Sequence, residues 1–340
     1  MSNRLRKPLT LKTIAADAGV SVATVSRVLA KVPNFKVSKK TEERIFQLAR
    51  AMGYTYNASA KSLRTRKTSC LELFIPEIGN PIYTPIVAGA NAAAIEDGYQ
   101  ILINTSTGDE TPRLDTWLGE QRVDGILVNT LLMNKERVAI FDSLQYPYEV
   151  FFSSLATPRY VTFDEHEVMQ LAVKHLRQLG HIRIAYLTGP LSINSFGVRF
   201  EHFVLALQEF GLVYHPELCI QGGRSSFHNG AESLNKLLTT GHAFTAVIGA
   251  TVNIAVGALH AAAGVGLTIP QHVSILGIND SPVAEVTTPS LTMVRTPLYG
   301  IGYHGVKNLL LSIKGERALT PLVIRGSELQ IRGTTDRVSC

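Results

Sequence analysis

The pattern of apolar and polar positions near the start of the chain predicts two short helices joined by a tight turn within residues 10–29. Their apolar stripes are Ile14, Ala15 and Ala18 in the first helix, and Val25, Val28 and Leu29 in the second. Gly19 can end the first helix in a left-handed conformation, and Thr10 and Ser21 are predicted as the N-caps. Such a pair is either an ordinary packed hairpin or a helix-turn-helix that fits the major groove of DNA.

The second helix leaves a row of small or polar side chains and one arginine outside its apolar stripe. These positions are Ser21, Val22, Ala23, Thr24, Ser26 and Arg27. After a loop over residues 30–37, Ser38 is predicted to cap a third helix over residues 39–52, which Gly53 ends. Three such helices form a small head whose exposed side chains suit the edges of bases.

From residue 70 onward, short apolar runs alternate with helical patterns, which predicts parallel βαβ units. The predicted strands cover residues 71–75, 100–104, 125–129, 184–188, 246–249 and 274–277. The predicted helices cover residues 85–97, 114–120, 199–210, 230–239 and 253–264. Two doubly wound lobes follow, with a ligand cleft at the carboxyl ends of the strands. The loops that line this cleft begin at Pro76, Thr130, Gly189, Ala250 and Ile278.

The charges are divided unevenly along the chain. Residues 1–68 hold 15 of the 33 Lys and Arg but 3 of the 27 Asp and Glu, a net charge of +12, whereas the other 272 residues hold 18 and 24, a net charge of −6. A small basic module joined to a larger acidic one is expected when only the first neutralises phosphates. The charge therefore favours DNA binding by the head. The remainder is long and apolar enough for a large buried core.

The cysteines exclude some other classes of protein. Cys70, Cys219 and Cys340 are odd in number and lack CxxC spacing, so we expect neither a disulfide framework nor a zinc site. The N-terminus lacks the apolar core of a signal peptide, and no later segment reaches the length of a membrane span. A cytoplasmic protein without membrane contact, metal or cofactor is predicted.

One motif suggests an enzyme that uses a dinucleotide. Gly300-Ile-Gly302-Tyr-His-Gly305 matches GxGxxG, but three residues beginning at Pro297 separate it from the preceding strand. The glycines then fall inside a helix rather than in the turn that approaches a pyrophosphate. We therefore assign no catalytic residue.

Residues 57–68 have the composition of a basic tether. Residues 57–64 can form one or two helical turns capped by Asn57, a helix too short to be stable alone in water. We expect this segment to become helical only on contact with a partner.

Residues 14–29 resemble the head of the LacI/GalR family of bacterial transcription regulators, and further landmarks extend the resemblance over essentially the whole chain. These landmarks are Gly53-Tyr54, Asn57-Ala58, Ser62-Leu63-Arg64, Asn80-Pro81, residues 122–125, Leu179-Gly-His181, Gly189-Pro190, residues 270–277 and residues 289–292. The resemblance implies a helix-turn-helix head over residues 1–56, a hinge helix and linker over 57–68, and a two-lobed core like periplasmic sugar-binding proteins over 69–340. It implies an N-lobe of residues 69–162 and 292–322 and a C-lobe of residues 163–291 and 323–340, with crossings near Thr162, Leu291 and Val323.

The resemblance also implies a function and partners. It indicates a repressor of carbohydrate-related genes that binds pseudo-palindromic operator DNA as a homodimer or a tetramer. A sugar, sugar acid or sugar phosphate between the lobes would control operator affinity. A non-sugar effector such as a nucleobase is the alternative, and a cytosolic nucleotide-dependent enzyme is a weaker one.

The resemblance assigns DNA contacts to the head and the hinge. The residues concerned are Thr10, Ser21, Val22, Ala23, Thr24, Ser26, Arg27, Asn57, Leu63 and Arg64. Leu63 matches the leucine that wedges between base pairs in the minor groove, and it has few apolar companions that would make it a core residue. Arg27 is expected to contact a base or a phosphate, with a solvated helix end as the alternative.

The effector contacts implied by the resemblance are Tyr83, Ser195, Arg199, Thr251, Asn279 and Asp280. Arg199 has a solvated surface position as its alternative, and Tyr83 a place in the core. Thr251-Val252 departs from the Asn-Asp that sugar-binding members commonly have there, and Asn279 stands where an acid is frequent. The loss of acidic groups beside a retained Arg199 favours an anionic effector.

Overall fold

Three helices form the N-terminal unit of the chain: α1 (Leu11–Ala18), α2 (Val22–Leu29) and α3 (Lys39–Ala51). The computed structural model describes residues 10–29, 35–54, 67–105, 122–152, 157–316 and 320–338. One apolar cluster holds the three helices together and contains a fully buried residue from each: Ile14, Val25 and Ile45. The helix-turn-helix prediction is confirmed, since Gly19 ends α1 with φ +69°.

The predicted helix caps of this unit have different outcomes. Ser21 and Ser38 each accept a hydrogen bond from the backbone N–H three residues later, at 3.1 Å, so both predictions are confirmed. Thr10 occupies the N-cap position as predicted, but its hydroxyl lies 3.5 Å from the Thr13 hydroxyl and caps no backbone N–H. The hinge helix predicted over residues 57–64 and the helix predicted over residues 114–120 lie outside the described residues.

The second compact unit begins at Ser69. Its first lobe contains β1 (Cys70–Ile75), α4 (Tyr83–Glu96), β2 (Gln100–Thr105), β3 (Gly125–Asn129), α5 (Lys135–Ser143), β4 (Tyr148–Phe151) and β5 (Tyr160–Phe163). The second lobe contains α6 (Glu165–Gln178), β6 (Ile184–Thr188), α7 (Asn194–Glu209), β7 (Cys219–Gln221), α8 (Phe227–Thr239), β8 (Ala246–Gly249), α9 (Val252–Gly264), β9 (Ser274–Ile278), α10 (Pro282–Glu285) and β10 (Thr292–Arg295). Then α11 (Leu298–Lys314) and β11 (Leu322–Ile324) return to the first lobe, and β12 (Glu328–Gln330) to the second.

Each lobe is built on one six-stranded sheet within the described residues. The strand orders are β11-β5-β4-β3-β1-β2 and β12-β10-β9-β8-β6-β7, and all pairs are parallel except β10 with β12. The predicted pair of doubly wound lobes is therefore confirmed. The central strands β3, β6 and β9 are buried along their whole length, as expected when helices cover both faces of a parallel sheet.

The three crossings between the lobes lie within one to four residues of the positions that the resemblance implies. The chain leaves the first sheet after Phe163, returns after Arg295 and leaves again after Ile324. The predicted crossing at Leu291 is too early because β10, which follows it, pairs with β9 in the second sheet. The crossing implied near Val323 lies one residue before the end of β11, which pairs with β5 in the first sheet.

The glycine motif at residues 300–305 lies within α11, as predicted, and it permits close helix packing. A Cβ on Gly302 would overlap the carbonyl oxygen of Ile86 in α4, and a Cβ on Gly89 would overlap that of Tyr299 in α11. Helices α4 and α11 thus approach backbone to backbone over the first sheet. This gives α4 a fixed position at the edge of the ligand cleft described below.

Candidate DNA-reading surface and ligand cavity

The exposed face of α2 presents most of the head residues that were assigned to DNA. Ser21, Val22, Ala23 and Arg27 are exposed, and Thr24 and Ser26 are half-buried. The hydroxyls of Ser21 and Thr24 lie 2.9 Å apart, so the cap also orients Thr24. Small side chains surround one long cation on this surface, an arrangement that lets a helix approach base edges.

Arg27 is held by an aromatic ring of the same unit. Its guanidinium carbon lies 5.2 Å from the centroid of the Phe35 ring, within the range of a cation–π contact. Phe35 belongs to the loop that separates α2 from α3 and packs partly against the head's apolar cluster. Asn57, Leu63 and Arg64, the remaining predicted DNA contacts, lie outside the described residues.

The ligand cavity lies between the two lobes and has a volume of about 810 Å³. Its floor and walls come mainly from loops at the carboxyl ends of β1, β3, β6, β8 and β9, which confirms the predicted place of the cleft. The predicted residues that line it are Tyr83, Ser195, Arg199, Thr251 and Asn279. Polar residues that were not predicted also line it: Glu77, Asn80, Thr105, Asn129, Glu165, Arg224, Ser225 and Ser226.

Arg199 is buried and forms a bidentate ion pair with Glu165. Its Nε and Nη2 donate to the two carboxylate oxygens of Glu165, each at 2.7 Å, and Nη1 donates to the carbonyl oxygen of Ala250 at 2.6 Å. Burial disfavours the charged form, but the charge and hydrogen bonds of Glu165 outweigh it and raise the pKa of Arg199 above its usual value. The solvated alternative for Arg199 is therefore wrong.

The Glu165 contact removes the argument for an anionic effector. The preference for an anion depended on an Arg199 without an acidic neighbour. Glu165, the first residue of α6, supplies that neighbour with bidentate geometry. The buried charge in the cavity is thus balanced.

Tyr83 is both a core residue and a cavity residue. It is 4% exposed, contacts Phe151 edge to face at 6.5 Å and receives a hydrogen bond from the Asn129 amide at 3.4 Å. Burial raises the pKa of its hydroxyl far above the ordinary value, so it stays protonated. Asn129 in turn accepts from the backbone N–H of Leu131 at 2.8 Å. The two side chains present an aromatic face and an amide to the cavity.

Thr251 and Asn279 are fixed by the lobe they belong to. Thr251 caps α9, accepting from the Ile254 N–H at 3.4 Å, and its hydroxyl lies 2.7 Å from that of Ser225. Asn279 has φ +67°, and its side-chain oxygen accepts from the Thr296 hydroxyl at 2.9 Å. Thr296 lies beside the second crossing, so Asn279 links the cavity to the connection between the lobes.

Asp280 does not line the cavity, and its predicted effector role is corrected. Its carboxylate accepts from both terminal nitrogens of Arg332 at 2.9 Å and from Arg295 at 3.1 Å. Asp280 therefore anchors the last described segment to the second lobe. The two arginines thus occupy the carboxylate, and Asp280 is absent from the cavity lining.

The absence of Glu165 from the predicted site residues has a simple reason. Glu165 begins a helix directly after a strand that was not predicted, and its partner lies 34 residues away. The one available signal is the pair of acidic residues Asp164 and Glu165, which is typical of the start of a helix. Among the described residues, no cluster of His, Cys, Asp and Glu is arranged to hold a metal ion. Within the same residues no helix is both long and apolar enough to span a membrane.

Comparison with known proteins agrees with this geometry. The model of the lacI family of bacterial regulatory proteins matches residues 10–57, and that of the periplasmic binding protein-like domain matches residues 173–335. The HTH-type transcriptional regulator DegA of Bacillus subtilis is 30% identical over 335 residues, which cover 96% of this chain and 98% of DegA.

Two solved structures extend the comparison. A complex of the transcriptional regulator CelR with cellobiose has a TM-score of 0.73 and 29% identity, covering 96% of this chain and 99% of CelR. The lac repressor dimer bound to operator and the anti-inducer ONPF has a TM-score of 0.84 and 26% identity, covering 97% of this chain and 100% of the repressor chain.

The head and the cavity together define a DNA-binding transcriptional regulator with a ligand-binding core. The chain belongs to the LacI family of bacterial regulators.

Proposed function

We propose that the protein is a repressor whose operator affinity is controlled by a sugar bound between the lobes. The observation that carries this proposal is the cavity of about 810 Å³, whose wall combines amides and hydroxyls with aromatic rings. Hydroxyl-rich ligands need both donors and acceptors at fixed positions, and apolar surface for their C–H faces. The cellobiose complex of CelR supports a sugar as the ligand class.

The inner wall offers several groups of this kind. Asn129, Ser195 and Thr251 supply amide and hydroxyl groups, and the rings of Tyr83 and Phe152 supply apolar faces. The charges of Arg199 and Glu165 cancel, so neutral sugars fit better than the anions expected from the sequence.

The head is proposed to read the operator through α2. Arg27 contacts a base or a phosphate, while Val22 and Ala23 set sequence preference by apolar contact with thymine methyl groups. Asn57, Leu63 and Arg64 are proposed to act in the minor groove as a folded hinge. Thr10 is proposed to contact the DNA backbone, since its hydroxyl makes no helix cap.

We also propose that the active form is a homodimer. Two copies of α2 then read opposite half-sites of a pseudo-palindromic operator, with a spacing set by the two-fold axis. The operator complex of the lac repressor dimer supports this assembly.

A ligand screen followed by operator binding tests the proposal. The first step is a thermal-shift screen of neutral sugars, sugar acids, sugar phosphates, nucleosides and nucleobases against the full chain, because a ligand of the folded state raises the melting temperature by mass action. The second step is operator affinity with and without each hit, on DNA selected from a random library by the protein. We expect a neutral sugar to be a hit and to weaken operator binding.

Two outcomes would contradict the proposal. A nucleoside or nucleobase hit without any sugar hit would show that the ligand is not a sugar. Equal affinity for the selected sequence and for scrambled DNA at 150 mM salt would exclude sequence-specific binding.

A further inference from the structure

The charged side chains around the ligand cavity fall into an inner pair and an outer pair. Arg199 is 5% exposed, and the side chain of its partner Glu165 is 11% exposed. The other two charged residues of the described lining, Glu77 and Arg224, are exposed at the mouth. Water and salt screen exposed charges, so the inner pair dominates the potential felt by a bound ligand.

The inner pair leaves a specific set of free hydrogen-bonding positions. Arginine has five N–H donors, and the bonds to Glu165 and Ala250 use three of those of Arg199. Each carboxylate oxygen of Glu165 also has acceptor capacity beyond its one bond to Arg199. A ligand oxygen that reaches this pair therefore meets donors and acceptors side by side.

A hydroxyl group and a carboxylate respond differently to such a pair. A hydroxyl can accept from Arg199 and donate to Glu165 at once. A carboxylate or phosphate can only accept, and it must also approach the negative charge of Glu165 in a site that is shielded from water. The attraction of Arg199 for an anion is thus offset by its own partner.

We propose that Glu165 gives the cavity its selectivity for uncharged polyhydroxylated ligands over their anionic analogues. This inference rests on the proposed sugar-binding function and adds a specificity-determining residue to it. Glu165 acts both through direct contact with ligand hydroxyls and by cancelling the charge of Arg199. Its position at the start of α6, directly after the first crossing, holds it at the inner wall.

Calorimetric titration of matched ligand pairs tests this proposal. The probes are glucose with glucuronate and glucose 6-phosphate, galactose with galacturonate, and ribose with ribose 5-phosphate. We expect the wild-type protein to bind the neutral member of at least one pair more tightly. In Glu165→Gln the ratio of anion to neutral affinity should rise at least about tenfold, since the side chain keeps its shape but loses its charge.

Two further variants separate this role from a structural one. Glu201→Gln, at an exposed position of α7, removes the same charge outside the cavity and should leave the ratio unchanged. Glu165→Asp keeps the charge and should retain the wild-type preference. If E165Q does not fold, the preference of the wild-type protein and of E165D decides the matter.

The outcomes distinguish this inference from the function on which it rests. A wild-type preference for the anionic member, or a ratio that is unchanged in a folded E165Q, overturns the role of Glu165 and leaves a sugar-responsive repressor standing. Absence of binding by every member of every pair, together with no sugar hit in the wider screen, overturns both.

Discussion

At the scale of single residues, the ion pair of Arg199 with Glu165 joins stability to ligand recognition. It connects α6, α7 and the carbonyl oxygen that follows β8, so three elements of the second lobe meet at one guanidinium. Breaking a buried pair from one side leaves an uncompensated charge, which costs more than the pair itself contributes.

The pair predicts a strong effect of Arg199→Met on stability. We expect the free energy of unfolding of the core to fall by about 3–5 kcal/mol, because Glu165 stays buried without its cation. Urea unfolding followed by circular dichroism measures this loss. The double variant Arg199→Met with Glu165→Gln should recover part of it, and an equal loss in both variants would contradict the explanation.

The contact of Arg27 with Phe35 predicts an effect on DNA binding. Phe35→Leu keeps an apolar side chain but removes the ring that orients the guanidinium. A cation–π contact at an exposed site contributes roughly 0.5–1 kcal/mol, so operator affinity should fall by about two- to fivefold. Fluorescence anisotropy with selected operator DNA measures it.

Phe46→Leu is the matched control, since Phe46 also packs partly against the head's apolar cluster. If the two variants lose operator affinity equally, the loss comes from packing and not from the orientation of Arg27.

The resemblance implied the cavity residues, and the strand pattern independently located the region that carries them. Thr251 and Asn279 follow β8 and β9, Ser195 lies in the first turn of α7, and all three line the cavity. Glu165 was missed because its role depends on a partner in another helix. Asp280 was assigned to the cavity because the sequence does not show its ion pair with Arg332, which lies 52 residues away.

At the scale of elements, the approach of α4 and α11 depends on which glycines face the contact. The first glycine of the motif, Gly300, has space for a Cβ, whose nearest neighbour would be an Ile324 methyl at 3.4 Å. Gly302 has none, because the backbone of α4 occupies that space.

This difference predicts opposite effects of two similar substitutions. Gly302→Ala should lower the free energy of unfolding by about 1–3 kcal/mol through overpacking. Gly300→Ala should raise it by up to about 1 kcal/mol, because alanine is the better residue within a helix. Thermal or urea unfolding of the two variants measures the effects, and equal destabilisation by both would show that the helices do not approach as described.

Two buried histidines tie the last described segment to the second lobe and predict a pH dependence. Nε2 of His175 lies 3.0 Å from the Thr335 hydroxyl, and Nε2 of His181 lies 3.0 Å from the carbonyl oxygen of Asp336. Burial lowers the pKa of both below the usual value of 6.5, with the charge of His181 adding to the shift at His175. Below pH 6.5 the unfolded chain takes up protons that the folded core resists. Above pH 6.5 the free energy of unfolding therefore keeps the full contribution of the two neutral histidines. It decreases as the pH falls below 6.5 toward their lowered pKa values.

The measurement is urea unfolding between pH 7.5 and pH 5. The double variant His175→Gln with His181→Gln should show a shallower decrease than the wild-type protein. His260→Gln, at an exposed position of α9, should follow the wild-type curve. If the free energy of unfolding of the double variant falls with pH as steeply as that of the wild-type protein, other groups cause the pH dependence.

Element prediction succeeded where apolar runs were long and bounded. The predicted strands 125–129, 184–188 and 246–249 agree with β3, β6 and β8 at both ends. Strands β4 and β5 were missed because Glu149 and Thr162 interrupt their apolar runs, and β7 was missed because it has only three residues. The crossing near β10 was placed too early because strand pairing, which decides the lobe, leaves no local pattern.

At the scale of the whole molecule, the chain divides its tasks between two units of opposite charge. The basic unit holds the DNA-reading surface, and the acidic unit holds the cavity. The crossings lie beside cavity residues, since Glu165 follows the first and Asn279 contacts Thr296 at the second. A ligand that contacts both lobes can therefore shift the population of lobe arrangements, and thereby operator affinity.

The central claim is that occupancy of this cavity controls binding of the operator. The most direct measurement is operator affinity of the full chain, by fluorescence anisotropy, without ligand and with a saturating amount of the sugar found in the screen. Coupling of this kind typically changes affinity by about 5–150-fold. We predict a decrease within that range for the wild-type protein and no change for Ser195→Trp, which fills the cavity. An operator affinity that the bound sugar leaves unchanged in the wild-type protein, or changes equally in both proteins, would contradict the claim.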